Sequence, residues 1–123
     1  MQLPTLSLPT ANTGLSHHDI QSIVAVARSF AQVQQLVLFG SRAKGTYKPG
    51  SDIDLAVKSQ GGNYDLTVAL ADELNQATRM PYFFDVVDYL AITEAQLLAH
   101  IDRVGLVLFD ANQNIEPMNS ISA

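Results

Sequence analysis

The chain has 123 residues, 47% hydrophobic and 15% charged, with a formal net charge of -5 and no cysteine. That length fits one domain able to bury roughly two-thirds of its unfolded surface. The composition excludes disulfide staples and thiolate metal sites, no run reaches the ~18 apolar residues of a membrane span, and the negative balance argues against a free-standing binder of long nucleic acid, whose affinity rests on phosphate neutralisation. The opening segment lacks a basic start and is broken by Pro4 and Pro9, which makes a poor secretory leader, so a cytoplasmic location is the default expectation.

In chain order, residues 1–15 carry prolines and small polar residues without periodicity and are expected to be an extended lead-in. Ser16 and Asp19 have capping-box spacing, and Ile20, Ile23, Val24, Ala27, Phe30 and Ala31 recur on one helical face. His17 and His18 fall in the first turn, where adjacent side chains diverge, and are expected at the surface. Leu36 to Phe39 is a continuous apolar run, expected as a strand buried on both faces. It breaks at Gly40-Ser41, where Ser41 is expected to cap a short helix that Gly45 ends. Three of the seven basic residues, Arg42, Lys44 and Lys48, follow this break, a concentration that suits a small anionic ligand better than a duplex.

A second strand follows, with Ile53, Leu55 and Val57 on one face and Asp52, Asp54 and Ala56 on the other. Asn63 then caps a helix whose inner face carries Leu66, Ala69, Leu70 and Leu74. A third strand covers Tyr82 to Asp88, with Asp85 among phenylalanines and valines, where a carboxylate is costly unless paired or bound to a cation. Asp88 lies near the strand end, where a carboxylate is cheap. Thr93 and Gln96 have capping-box spacing before a last helix with Leu97, Leu98 and Ile101, and Leu106 to Phe109 closes the pattern as a short strand. The alternation predicts an α/β sheet covered by helices.

The chemistry concentrates between Leu36 and Val57. Carboxylates at alternate strand positions share one side at roughly 6–7 Å. At ~6 Å their repulsion is about 3 kcal/mol at an effective dielectric of 20. Asp52 and Asp54 therefore call for a cation, and oxygen-only ligands select a hard ion such as Mg²⁺, held together with substrate phosphates. Asp85 from a neighbouring strand could complete a two-metal site and act as general base. Gly40 and Ser41 offer backbone amides and a hydroxyl to a phosphate, with Arg42 or Lys44 adding charge.

The ordered set Gly40-Ser41, ten residues, Asp52-x-Asp54, then Asp85 resembles the signature of the DNA polymerase β-type nucleotidyltransferase superfamily. Within it, FGSRAKG and SDIDLAV are similar to the minimal nucleotidyltransferase (MNT) family. The resemblance implies a polymerase β-like fold, a small mixed sheet covered by helices, with the two catalytic strands adjacent and 16–110 as the nucleotidyltransferase domain. The polar, aperiodic residues 111–123 are expected to be a flexible tail. It implies ATP as substrate and two Mg²⁺ ions on Asp52, Asp54 and Asp85. Such proteins are often encoded beside HEPN-domain ribonucleases and act as antitoxins that transfer AMP to a tyrosine of the toxin. The expected partner is therefore a HEPN toxin, in a hetero-oligomer that supplies the acceptor hydroxyl this short chain has no domain to bind. Two other readings compete: neutralisation by binding alone, and a two-subunit transferase acting on a small hydroxylated molecule.

Overall fold

The computed structural model describes residues 13–78 and 80–112. Most of the expected lead-in and tail, 1–12 and 113–123, therefore lies outside the described residues. The end of the lead-in is not loose, because Thr13 and Leu15 are buried in the core. The elements run α1 (His17–Arg28), β1 (Val33–Phe39), α2 (Gly40–Lys44), β2 (Ile53–Ser59), α3 (Tyr64–Ala77), β3 (Phe84–Asp88), a 3₁₀ turn (Tyr89–Ala91), α4 (Ala95–Val104) and β4 (Leu106–Asp110). This is the predicted alternation.

The four strands form one mixed sheet in the order β3-β2-β1-β4. β1 lies antiparallel to both β2 and β4, while β2 and β3 are parallel, joined by the crossover through α3. Alternation along each strand separates two cores. Leu36, Leu38, Ile53, Leu55, Val57 and Phe84 face the main core with Ile20, Ile23 and Ala27 of α1 and Leu66, Leu70 and Leu74 of α3. Val37, Phe39 and Ala56 face the other way, into a smaller cluster closed by Ile101 and Leu97 of α4.

Local signals explain most boundaries. Ser16 accepts from the Asp19 amide at 3.0 Å and Asp19 accepts from the Ser16 amide at 3.1 Å, the reciprocal capping box expected from the sequence. Asn63 accepts from the Leu66 amide at 2.9 Å and starts α3. The left-handed Gly45, φ +81°, ends α2.

Several expectations shift. α1 stops at Arg28, so Phe30 reaches the core from the following turn and Ala31 is exposed. Ala69 is exposed while Thr67 takes an inward place on α3. α2 opens at Gly40, with Phe39 rather than Ser41 at its N-cap position. α4 begins at Ala95 without a side-chain cap, so the Thr93–Gln96 box does not form. β3 starts at Phe84, two residues later than expected.

Candidate active site

The sheet register assembles the signature. Phe39 on β1 pairs with Asp54 on β2, and Asp54 pairs in turn with Asp85 on β3. Paired residues on adjacent strands lie roughly 5 Å apart with side chains on the same face. Asp54 and Asp85 thus share the face that carries Ala56 and Val87, at the end that α4 leaves open. Asp52 is exposed just before β2, two positions from Asp54. Gly40 completes the group. It sits at φ +75°, and a Cβ there would collide with Oδ2 of Asp54. Only glycine brings the α2 backbone this close to the carboxylate.

The electrostatics follow from this crowding. Burial pushes the Asp54 carboxyl from 3.8 up to about 6, with the nearby charges of Asp85 and Asp52 adding to the rise. The group is thus half-protonated at about pH 6, and a cation beside it would favour the ionised form. Among the described residues, no three His, Cys, Asp or Glu side chains close into a metal site on their own. An all-oxygen cluster of like charges still fits a hard divalent ion that takes part of its shell from phosphate oxygens and water.

Asp85 was expected to be a buried carboxylate needing compensation, but it is exposed. Among the described residues β3 is an edge strand, and no described element covers Asp85. Its backbone is nonetheless held firmly. The Ile53 amide donates to the Phe83 carbonyl at 2.9 Å. Asn75 of α3 donates to the Phe84 carbonyl at 3.1 Å and accepts from the Phe84 amide at 2.8 Å. This side-chain amide imitates a neighbouring strand at the sheet edge, one residue before Asp85. Asp88 is committed elsewhere, its two carboxylate oxygens accepting from the Asn63 amide at 3.0 Å and the Leu90 amide at 3.1 Å.

Arg42, expected to add charge to a phosphate, lies within the protein. It is 2% exposed, and its guanidinium is enclosed by protein acceptors. Nε and Nη2 both donate to the Ser51 carbonyl, at 3.2 and 2.9 Å, and Nη1 donates to the Thr13 carbonyl at 2.8 Å. Its Cζ lies over the Tyr47 ring at 5.0 Å and over the Tyr82 ring at 4.4 Å. A planar, always-charged fork suits this enclosed junction and leaves little for a phosphate. Lys44 remains exposed in the last turn of α2, and Ser41 is half-buried as its second residue. His17 and His18 are at the surface, as expected.

His100 was missed. Its Nε2 accepts from the Gly40 amide at 3.2 Å. The available signal was a polar residue at the i+3 position from Leu97, on the stripe that faces the sheet.

A mixed four-stranded sheet with a glycine-serine turn packed against paired strand carboxylates defines a nucleotidyltransferase-type domain. The family model for polymerase beta nucleotidyltransferases matches residues 21–114, and the chain belongs to that family. No protein among those of curated function matches it. Among solved structures, it is similar to a toxin-antitoxin crystallised with AMP-PNP, at 26% identity and a TM-score of 0.64 over 79% of this chain and 77% of that one. It also resembles the toxin-antitoxin MntA-HepT, at 23% identity and a TM-score of 0.60 over 80% and 75% of the two chains. A third similar structure is a tri-AMPylated Shewanella oneidensis HEPN toxin in complex with an MNT antitoxin, at 24% identity and a TM-score of 0.57 over 76% and 71%.

Proposed function

We propose that this chain is an antitoxin nucleotidyltransferase that transfers AMP from ATP to a tyrosine hydroxyl of a HEPN-type partner and so neutralises it. The observation that carries the reading is the meeting of Gly40, Asp54 and Asp85 at one open sheet end. The similar toxin-antitoxin structures, one holding AMP-PNP and one an AMPylated toxin, support the choice of nucleotide and partner.

In this reading Ser41 and the adjoining backbone hold the β and γ phosphates, and exposed Lys44 adds charge to that side. The open end of the sheet admits the acceptor. Asp85 accepts the acceptor hydroxyl proton as the new oxygen–phosphorus bond forms. The bond between the α-phosphorus and its bridging oxygen breaks, and pyrophosphate leaves with the electron pair. Asp52, Asp54 and Asp85 would hold Mg²⁺, which would supply charge neutralisation for the triphosphate. Arg42 acts at a distance, by fixing the Ser51 carbonyl immediately before Asp52. No helix among the described residues is long and apolar enough to cross a membrane. The reading is that of a cytoplasmic protein working where ATP is plentiful.

The test is to co-purify the chain with the protein encoded beside it, add Mg²⁺ and ATP labelled on the α-phosphate, and follow label on protein. Label should appear on the partner and fall about 100-fold or more with Asp54→Asn, while the complex still forms. Full neutralisation in cells by Asp54→Asn would instead establish binding as the mechanism. Label on an added small hydroxylated compound rather than the partner would reassign the acceptor.

A further inference from the structure

The Gly40-Ser41 turn is held from outside the signature. α2 starts without a side-chain cap, since Phe39 stands at its N-cap position. The Gly40 amide instead donates to Nε2 of His100, 3.2 Å away on α4. Accepting this bond requires an Nε2 that carries no proton. Phe39 meets the same ring edge-on, with centroids 6.1 Å apart and planes at 80°. Gly40 has no slack on its other side, where the Asp54 carboxylate fills the place of a Cβ. One glycine is thereby set between an imidazole from α4 and a carboxylate from β2.

We propose that His100 is a positioning residue of the nucleotide site, whose Nε2 fixes the Gly40-Ser41 turn against Asp54 and so sets where the triphosphate lies relative to the carboxylates. This role rests on the nucleotidyltransferase reading of the site. A plainer role is space-filling, because Leu97 and Ile101 on the same stripe pack with Phe39. Space-filling requires a ring at this position. Positioning requires an acceptor atom where Nε2 stands. The two demands separate cleanly by substitution.

The experiment measures binding of a fluorescent, non-hydrolysable ATP analogue with Mg²⁺ to the full chain co-purified with its partner. His100→Phe keeps the ring and loses the acceptor. His100→Gln loses the ring and places an amide oxygen near the position of Nε2. Affinity should fall about 5- to 10-fold in His100→Phe, the worth of one hydrogen bond, and return to within about twofold of wild type in His100→Gln. The Gly40 ¹⁵N–¹H resonance of the nucleotide-free protein should shift in the Phe variant and return in the Gln variant. Wild-type affinity in His100→Phe, or equal loss in both variants, overturns the acceptor role. Failure of the wild-type complex to bind the analogue removes the nucleotide reading itself, and the role of His100 with it.

Discussion

Asp54 is the residue on which sequence, burial and charge converge. Its carboxyl titrates at about 6 in the fold against 3.8 when exposed. Between those values the folded state holds more protons than the unfolded state, so this group makes stability fall as pH rises from about 4 to 6 and leaves it level above. A rise of this size corresponds to about 3 kcal/mol in full, reduced to roughly 1 kcal/mol because half-exposure lets water screen the charge. Asp54→Asn should therefore be about 1 kcal/mol more stable than wild type at pH 7 and no more stable at pH 4. Urea unfolding at the two pH values checks this. Added Mg²⁺ should stabilise the wild type at pH 7 and leave the Asn variant nearly unchanged, since binding to the folded state is what stabilises. A wild type whose urea midpoint is flat from pH 4 to pH 7 relative to the variant would contradict the account.

At the scale of elements, the site is made by junctions. Arg42 on α2 binds the Ser51 carbonyl before β2 and the Thr13 carbonyl before α1, and lies on Tyr82 just ahead of β3. Four segments meet on one guanidinium, and two of them lead directly into Asp52 and Asp85. Arg42→Lys retains the charge but neither the fork nor the stacking plane. It should lower stability by about 2 kcal/mol, through carbonyls left without donors and the lost aromatic contacts. Chemical denaturation measures this. A phosphate-binding Arg42 would behave differently, with nucleotide affinity reduced and stability preserved. Asn75 performs a smaller version of the same task at the edge of β3, where its amide closes both hydrogen bonds of Phe84.

For the whole molecule, the important feature is the open end of the second sheet face. α4 and the 3₁₀ turn close that face over Val37, Ala56 and Val87, while Asp54 and Asp85 lie beyond the cover. Phe83, on the same strand parity as Asp85, is 58% exposed beside them. An exposed aromatic next to clustered carboxylates suits a surface that a partner covers. The expected outcome is that the chain alone, given Mg²⁺ and labelled ATP, incorporates no label, and that label appears only when the partner is added. Gel autoradiography of the two reactions decides it. Self-labelling of the chain at a rate equal to transfer in the complex would show that the acceptor is its own.

The sequence by itself determined the order of elements, the two-faced pattern of β2, the α1 and α3 caps and the glycine-serine-to-aspartate spacing. These are local properties, set by side-chain period and by hydrogen bonds that span three or four residues. Its preference for Asp85 over Asp88 rested on a burial argument that the exposed edge position of Asp85 does not sustain. The tertiary structure decided what depends on residues far apart in the chain. Strand register, which no local pattern contains, put Asp85 opposite Asp54 and left Asp88 to cap the next turn. The enclosure of Arg42 depended on Thr13, Ser51 and two tyrosines arriving from separate segments. The imidazole on Gly40 came from sixty residues downstream. A basic residue after a glycine-serine turn and a histidine on a helix look alike in sequence whether they meet a ligand or the protein's own backbone. Which they meet is settled only by what the fold packs against them.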